Sequence, residues 1–257
     1  GMIDGFEETE FTHNGKTLPV YVRGEGPGVI IIHEVPGLHP AVIRFGEWVA
    51  EAGMTAIMPS LLGTPGKSVS GGYLFGSFAR ACISREFKVL AAHESSPITD
   101  WLRALCRDRH AKLGGPGVGT IGMCLTGNFA LSMMMEPSLI APVLSQPSLP
   151  MPIGKARKAA LHVSPEELEN VKKRAETGCK VLGLRFTQDP MCPPERFETL
   201  RQTLGEQFEG IEIDSSIMKN KQAHSVLTVD LIDEEGHPTL AARDRTIEFF
   251  KERLLTA

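Results

Sequence analysis

The stretch Val118–Met133, VGTIGMCLTGNFALSM, constrains the chain more than any other. Val118, Thr120 and Ile121 are β-branched residues in an apolar run, which predicts a strand. Gly122-Met123-Cys124-Leu125-Thr126-Gly127 follows, and a helical pattern runs from Asn128 to Met133. A chain that passes from strand through Gly-x-Cys into helix must turn sharply. The residue at the tip of such a turn sits in a strained backbone conformation, so its neighbours must be small. Free N–H groups and the positive end of the following helix would face the sulfur and favour its thiolate. Cys124 is therefore a candidate nucleophile. The competing interpretation is a buried structural thiol. One residue departs from the pattern: Thr126 is β-branched where glycine is usual, and Gly127 stands one place later.

The rest of the chain is compatible with one domain over residues 2–257, since 257 residues can bury a sizeable α/β core. A net charge of −4 gives no electrostatic case for nucleic acid or for an anionic membrane. No apolar run approaches the ~20 residues of a membrane helix. The acidic start, GMIDGFEETE, lacks the apolar segment of a signal peptide. Five scattered cysteines, an odd number without a CxxC pair, suggest a reducing, cytoplasmic setting and no disulfide framework. Nothing in the sequence sets an oligomeric state.

Along the chain, residues 10–23 predict a hairpin around Asn14-Gly15, a strong two-residue turn signal. Val29-Ile30-Ile31-Ile32 is a continuous apolar run, as expected of a central parallel strand buried on both faces. It opens into His33-Glu34-Val35-Pro36-Gly37-Leu38, a loop at the strand end where open α/β sheets place their sites. Zinc chemistry of the HExxH kind is excluded there, because position 37 is glycine and Pro36 would break the helix it needs. The spacing predicts a helix over 41–52, a strand over 54–59 and a long Gly/Ser/Pro-rich loop over 61–75. Helices are predicted over 78–90, which carries Arg85, and over 97–107. Gly117-x-Gly119-x-x-Gly122 matches a dinucleotide fingerprint only formally, because no strand precedes its first glycine.

After the Cys124 turn, residues 139–144 predict a strand that opens into Ser145-Gln146-Pro147, and Gln146 is a candidate pocket residue. Residues 151–180 predict a small helical insertion, with a helix starting at Ser164-Pro165-Glu166-Glu167. Residues 181–186 predict a late strand, followed by Asp189 and a helix over 195–204. Residues 211–214 alternate like a strand, and His224 comes soon after. A final helix is predicted over 239–255; His237, just before it, is the rival histidine.

Cys124, Asp189 and His224 thus occur in the order nucleophile, acid, histidine, each following a strand, which is the order of α/β-hydrolases. In that arrangement the imidazole takes the thiol proton and the carboxylate fixes its tautomer. With HEVPGL, GMCLTG, Asp189 with Pro193 shortly after, and His224-Ser225 ahead of a terminal helix, the chain resembles the dienelactone hydrolase family from Val29 onward. The resemblance implies an α/β-hydrolase fold: a mostly parallel central sheet with helices on both faces and an antiparallel N-terminal hairpin. It implies hydrolysis of an enol-lactone or ester without a cofactor or metal. It makes Cys124 the nucleophile, His224 the base, Asp189 its orienter and Glu34 the glutamate that controls the thiol's ionisation. The Val35 and Leu125 N–H groups would form the oxyanion hole. Arg85 would hold a substrate carboxylate. A second family arginine, four residues after the histidine, is Thr228 here.

The expected function is therefore cysteine-dependent hydrolysis of a small ester or lactone. The alternatives are a carboxylesterase or thioesterase for an unrelated small substrate, a redox-sensing thiol protein, and a non-catalytic relative of the fold.

Overall fold

The computed structural model describes residues 3–74, 76, 96–149 and 154–255. The chain opens with β1 (Glu7–His13) and β2 (Lys16–Arg23), joined by Asn14 and Gly15. Both turn residues have positive φ, 51° and 76°, which matches the right-handed twist of the paired strands. β3 (Gly28–Ile32), β4 (Thr55–Pro59), β5 (Val118–Met123), β6 (Leu139–Ser145), β7 (Val181–Phe186) and β8 (Phe208–Ile213) complete an eight-stranded sheet. Its order is β1-β2-β4-β3-β5-β6-β7-β8. β2 pairs antiparallel with β1 and β4, and every other pair is parallel. This is an α/β-hydrolase sheet, with the expected antiparallel N-terminal hairpin.

β3 shows why the sheet is buried on both sides. Val29 and Ile31 face one core with Phe45, Val49, Phe249 and Phe250. Ile30 and Ile32 face the other with Trp101, Leu105, Phe129 and Phe197. The first core lies under α1 (Pro40–Glu51) and the C-terminal helix Pro238–Leu254. The second lies under α2 (Pro97–Leu113) and the helices that follow β6 and β7. α2 starts where Ser96 accepts the Thr99 N–H at 3.2 Å. It runs six residues beyond the expected end at Arg107, because its last turns are polar and face solvent; Gly114, with φ 73°, stops it.

The helix expected over 128–133 is broken. Cys124–Thr126 forms a 3-10 turn, α3 is the single α-turn Phe129–Ser132, and a second 3-10 turn covers Met133–Met135. Pro137 holds Glu136 extended and ends the run. Residues 151–180, expected as an inserted helical unit, carry α4 (Lys155–Ala159) and α5 (Pro165–Glu176). α5 opens with a capping box, Ser164 Oγ accepting the Glu167 N–H at 3.1 Å and Glu167 accepting the Ser164 N–H at 2.9 Å. It buries Val171 and Ala175 in the second core and supplies the crossover that parallel β6 and β7 require. α6 (Pro194–Leu204) follows β7, and α7 (Pro238–Leu254) closes the fold. β8 starts three residues before the expected position because Phe208 packs edge-on against Phe197 at 5.3 Å. The helix expected over 78–90, with Arg85, lies outside the described residues. Among the described residues no helix is long and apolar enough to cross a membrane.

Candidate active site

The parallel strands deliver their following loops to one edge of the sheet, where an open α/β fold forms its crevice. β3 leads to Glu34, β5 to Cys124, β6 to Gln146 and β7 to Asp189; His224 lies on the chain between β8 and α7. Cys124, His224, Glu34, Val35, His39, Ser225 and Met191 line a cavity of about 540 Å³ together with Val69, Gly71, Leu74 and Val229.

Cys124 has φ +58°, a left-handed conformation that costs a non-glycine residue about 1–3 kcal/mol. Three neighbours hold it there. A Cβ on Gly122 would lie 2.1 Å from the Thr126 carbonyl oxygen, so the residue two before the cysteine has to be glycine. A Cβ on Gly127 would lie 2.6 Å from Pro147 Cα, which explains why the second glycine stands one place late: its close neighbour is the β6 loop. Thr126, at the position where glycine is usual, ties the turn to β3. Its hydroxyl accepts the Met123 N–H at 2.9 Å and lies 3.1 Å from the Ile32 and His33 carbonyls and 2.8 Å from that of Met123. The short helical segments after Cys124 give a far weaker dipole than the continuous helix expected from the sequence. His224 lines the same cavity as the sulfur.

His224 Nδ1 donates to Asp189 Oδ2. Asp189 is buried, and its other oxygen accepts the Met191 N–H at 2.9 Å. Among the described residues His224 Nε2 is buried without a hydrogen bond, yet Cys124 is near enough to act on the ring's charge. Burial alone would lower the pKa of His224; Cys124 and Asp189 reverse this and raise it well above the usual histidine value. The ring is placed by its own backbone: the His224 and Ser225 N–H groups both donate to Asp230 Oδ2, at 2.9 and 3.0 Å. The rival His237 is the N-cap of α7, with Nδ1 accepting the Thr239 N–H at 3.1 Å.

The profile of the dienelactone hydrolase family matches residues 17–254. The chain belongs to the dienelactone hydrolase family. It also superposes on solved α/β-hydrolases. One is a Klebsiella pneumoniae protein provisionally named a dienelactone hydrolase, with TM-score 0.64, 21% identity, and 96% of this chain and 98% of that one covered. Another is a dienelactone hydrolase-like promiscuous phosphotriesterase from metagenomic libraries, with TM-score 0.62, 14% identity, and coverage of 97% and 98%. A third is a cold-adapted esterase from an Arctic intertidal metagenomic library, with TM-score 0.60, 12% identity, and coverage of 99% and 97%. At these identities the structural likeness speaks for the fold. No curated protein sequence matches the chain significantly. Family membership carries the coarse activity, hydrolysis.

This dienelactone hydrolase-family chain arranges its glutamate in its own way. Glu34 is 3% exposed, and four side chains donate to it. His39 Nε2 (2.9 Å) and Thr228 Oγ1 (2.6 Å) reach Oε1; Ser225 Oγ (2.9 Å) and Gln146 Nε2 (3.2 Å) reach Oε2. Burial raises the carboxyl's pKa, but His39, Thr228 and the charge of His224 outweigh it and hold Glu34 below the ordinary value. Glu34 therefore joins the β3 loop, the start of α1, the β6 loop and the His224 loop. Thr228, where the resemblance places an arginine, is one of its donors. Among the described residues no hydrogen bond joins Glu34 to Cys124.

Gln146 requires a correction. Expected to touch substrate, it is 1% exposed and fully engaged: Nε2 on Glu34, and Oε1 accepting from Ser145 Oγ and from the Val226 N–H at 3.3 Å. Its φ of +34° turns the side chain inward, behind Glu34. Arg85 lies outside the described residues.

The Val35 and Leu125 N–H groups, among the described residues, are not used in any hydrogen bond. The Glu34–Val35 peptide is fixed by His33, whose Nδ1 donates to the Glu34 carbonyl at 2.9 Å. His33 Nε2 accepts the Leu61 N–H at 2.9 Å, with that of Leu62 at 3.4 Å. Burial lowers the His33 pKa to about 4, so the ring is neutral and keeps this tautomer. Leu62 then packs against Cys124 and Leu125. His33, His39, Ser225 and Asp230 carried no sequence signal as site residues. His33 and His39 bracket Glu34 in the HEVPGLH segment, and that spacing is the one available hint.

Proposed function

We propose that the chain is a cysteine hydrolase acting on a small ester or lactone through Cys124, His224 and Asp189. The observation that carries this is the convergence, in one cavity, of a cysteine held at φ +58° and an Asp189-bound imidazole whose pKa that cysteine raises. His224, whose pKa is raised, takes the Cys124 thiol proton. The Cys124 thiolate attacks the carbonyl carbon, and the oxyanion is received by the Val35 and Leu125 N–H groups; one such donor is worth about 3–4 kcal/mol of barrier. The C–O bond breaks, and His224 gives its proton to the leaving alkoxide. Neutral His224 then takes a proton from water, which attacks the thioester carbonyl. Collapse releases the carboxylic acid and restores thiolate and imidazolium. Asp189 keeps the ring's tautomer throughout. Glu34, held by four donors, stabilises the imidazolium by charge from a second side.

Among the described residues the redox-sensor alternative has no ready resolving thiol; Cys82 lies outside them. Burial pushes Cys106 and Cys192 up to about 12 and raises Cys179 as well, so none supplies a thiolate near neutral pH. The test is turnover of p-nitrophenyl acetate. Cys124→Ala should abolish it while the circular dichroism spectrum is retained. Unchanged turnover in that variant would reject Cys124 as nucleophile.

A further inference from the structure

The cavity over Cys124 has an apolar mouth. Val69, Leu74 and Val229 line it and are 42%, 41% and 58% exposed. They are three of the seven large hydrophobic side chains that are exposed among the described residues, and they surround one opening. Val69 precedes the helical residues 71–74 that carry Leu74, and Val229 lies in the turn that follows Ser225, so no single helix face or strand edge explains the grouping. Exposed apolar side chains scattered singly are ordinary; a cluster at the rim of a cavity marks a binding surface. Deeper in, Val35 and Met191 continue the apolar wall to the sulfur. Among the described lining residues there is no lysine or arginine, and the one carboxylate, Glu34, is held ionised by its neighbours.

We propose that this cavity takes uncharged esters whose acyl or alcohol part is an apolar chain or ring, with Val69, Leu74 and Val229 as the residues that set the preference. The inference rests on the hydrolase reading for its chemistry, but the shape and polarity of the cavity stand without it. An apolar group seated on the rim leaves water and covers side chains that are otherwise wet. Each methylene so buried contributes about 0.8 kcal/mol, or about fourfold in kcat/KM when the gain is kept in the transition state. An anionic group on the rim would lose its hydration and find no lysine or arginine among the described lining residues, and the His224 ring is already faced by the Asp189 and Glu34 carboxylates.

The experiment has two arms. In the first, kcat/KM is measured for p-nitrophenyl acetate, butyrate and hexanoate, and for the anionic p-nitrophenyl hemiglutarate. A rise of roughly tenfold or more from acetate to hexanoate is expected, with hemiglutarate below butyrate by a similar factor. Val229→Glu, at an exposed position on the rim, should reduce the hexanoate-to-acetate ratio several-fold, with the fold checked by circular dichroism. In the second arm, the rate of Cys124 modification by N-ethylmaleimide and N-hexylmaleimide is read by peptide mass spectrometry and divided by the rate for glutathione. The longer reagent should react several-fold faster at Cys124, and Val229→Glu should remove the advantage. The second arm needs no turnover. If no ester is hydrolysed but the maleimide preference holds, the hydrolase reading fails and the cavity assignment stands. A chain-length series that is flat or falling in the maleimide arm, hemiglutarate turned over as well as butyrate, or a Cys124 that reacts with neither maleimide would each overturn the proposal.

Discussion

Acidification tests the buried His33 and, through it, the frame of the site. His33 is 1% exposed, and burial brings its pKa to about 4 against about 6.5 in the unfolded chain. The fixed charge of Glu34 and the bond to its carbonyl oppose this shift, and His39 adds to it. The unfolded chain therefore binds more protons than the folded one between these two values, and stability falls as the pH falls through that window. The full difference of about 2.5 units corresponds to about 3.4 kcal/mol, of which about 2 kcal/mol is already lost at pH 5. Other shifted groups act elsewhere. His224, with a raised pKa, contributes stability fully below 6.5 and loses it only as the pH rises through its folded value. Glu34, with a lowered pKa, contributes above its unfolded value near 4.5 and loses this as the pH falls further. Urea unfolding followed by the fluorescence of Trp48 and Trp101 at pH 7.5, 6 and 5 reads the loss. His33→Gln is the control, because an amide oxygen can still accept the Leu61 N–H but does not titrate. That variant should lose little between pH 7.5 and pH 5. If it loses as much as the parent, His33 is not the buried proton site and the argument for its fixed tautomer falls.

Other outcomes follow from the same geometry. Cys124→Gly should remove turnover yet stabilise the fold by about 1 kcal/mol in thermal melts, since glycine accepts φ +58° without strain. Thr126→Val keeps the shape but leaves the buried Met123 N–H without its acceptor, so it should cost about 1–3 kcal/mol in urea unfolding, with Thr126→Ser costing less. Asp189→Asn should reduce kcat of an activated ester about 10⁴-fold, as expected when the imidazole is left in the wrong tautomer, with the melting curve little changed. The raised pKa of His224 puts the loss of imidazolium, and so the alkaline limb of kcat/KM, above pH 6.5; Glu34→Gln should move that limb down, which a purely structural role would not do.

The sheet was legible because hydrophobic period and turn chemistry agree along it. β3 is apolar at every position because it is buried on both faces, and β7 ends where Phe186 gives way to Thr187-Gln188-Asp189. The misjudged boundaries share one cause, that local pattern ignores tertiary packing. α2 runs on through a polar, solvated end, and the short helix after Cys124 is cut by Pro137 rather than by its own periodicity. Arg185 and Arg196 illustrate the same limit. In sequence they look like surface charges, but both are fully buried. Arg196 donates to the Pro147, Ala160, Arg157 and Met191 carbonyls, fixing loops on either side of Asp189.

The site divides along a similar line. Glu34 and Cys124, which line the cavity, and Asp189, buried beside His224, stand just after strands whose ends the pattern marks, and so could be picked out as candidates. Three of the donors to Glu34 could not be assigned to it, because they are far from it in sequence. Thr228 and Ser225 meet Glu34 across more than 190 residues, and Gln146 reaches it across 112. In isolation a glutamine after a strand looks like a residue offered to substrate. Its amide is instead spent on a buried carboxylate, and freeing it would leave a charge in the interior short of a donor. The same constraint makes Glu34 informative. A carboxylate supplied by four donors, one of them on the residue next to His224, cannot shift without loosening the histidine loop, so the charge that steadies the imidazolium and the loop that carries the ring move as one unit.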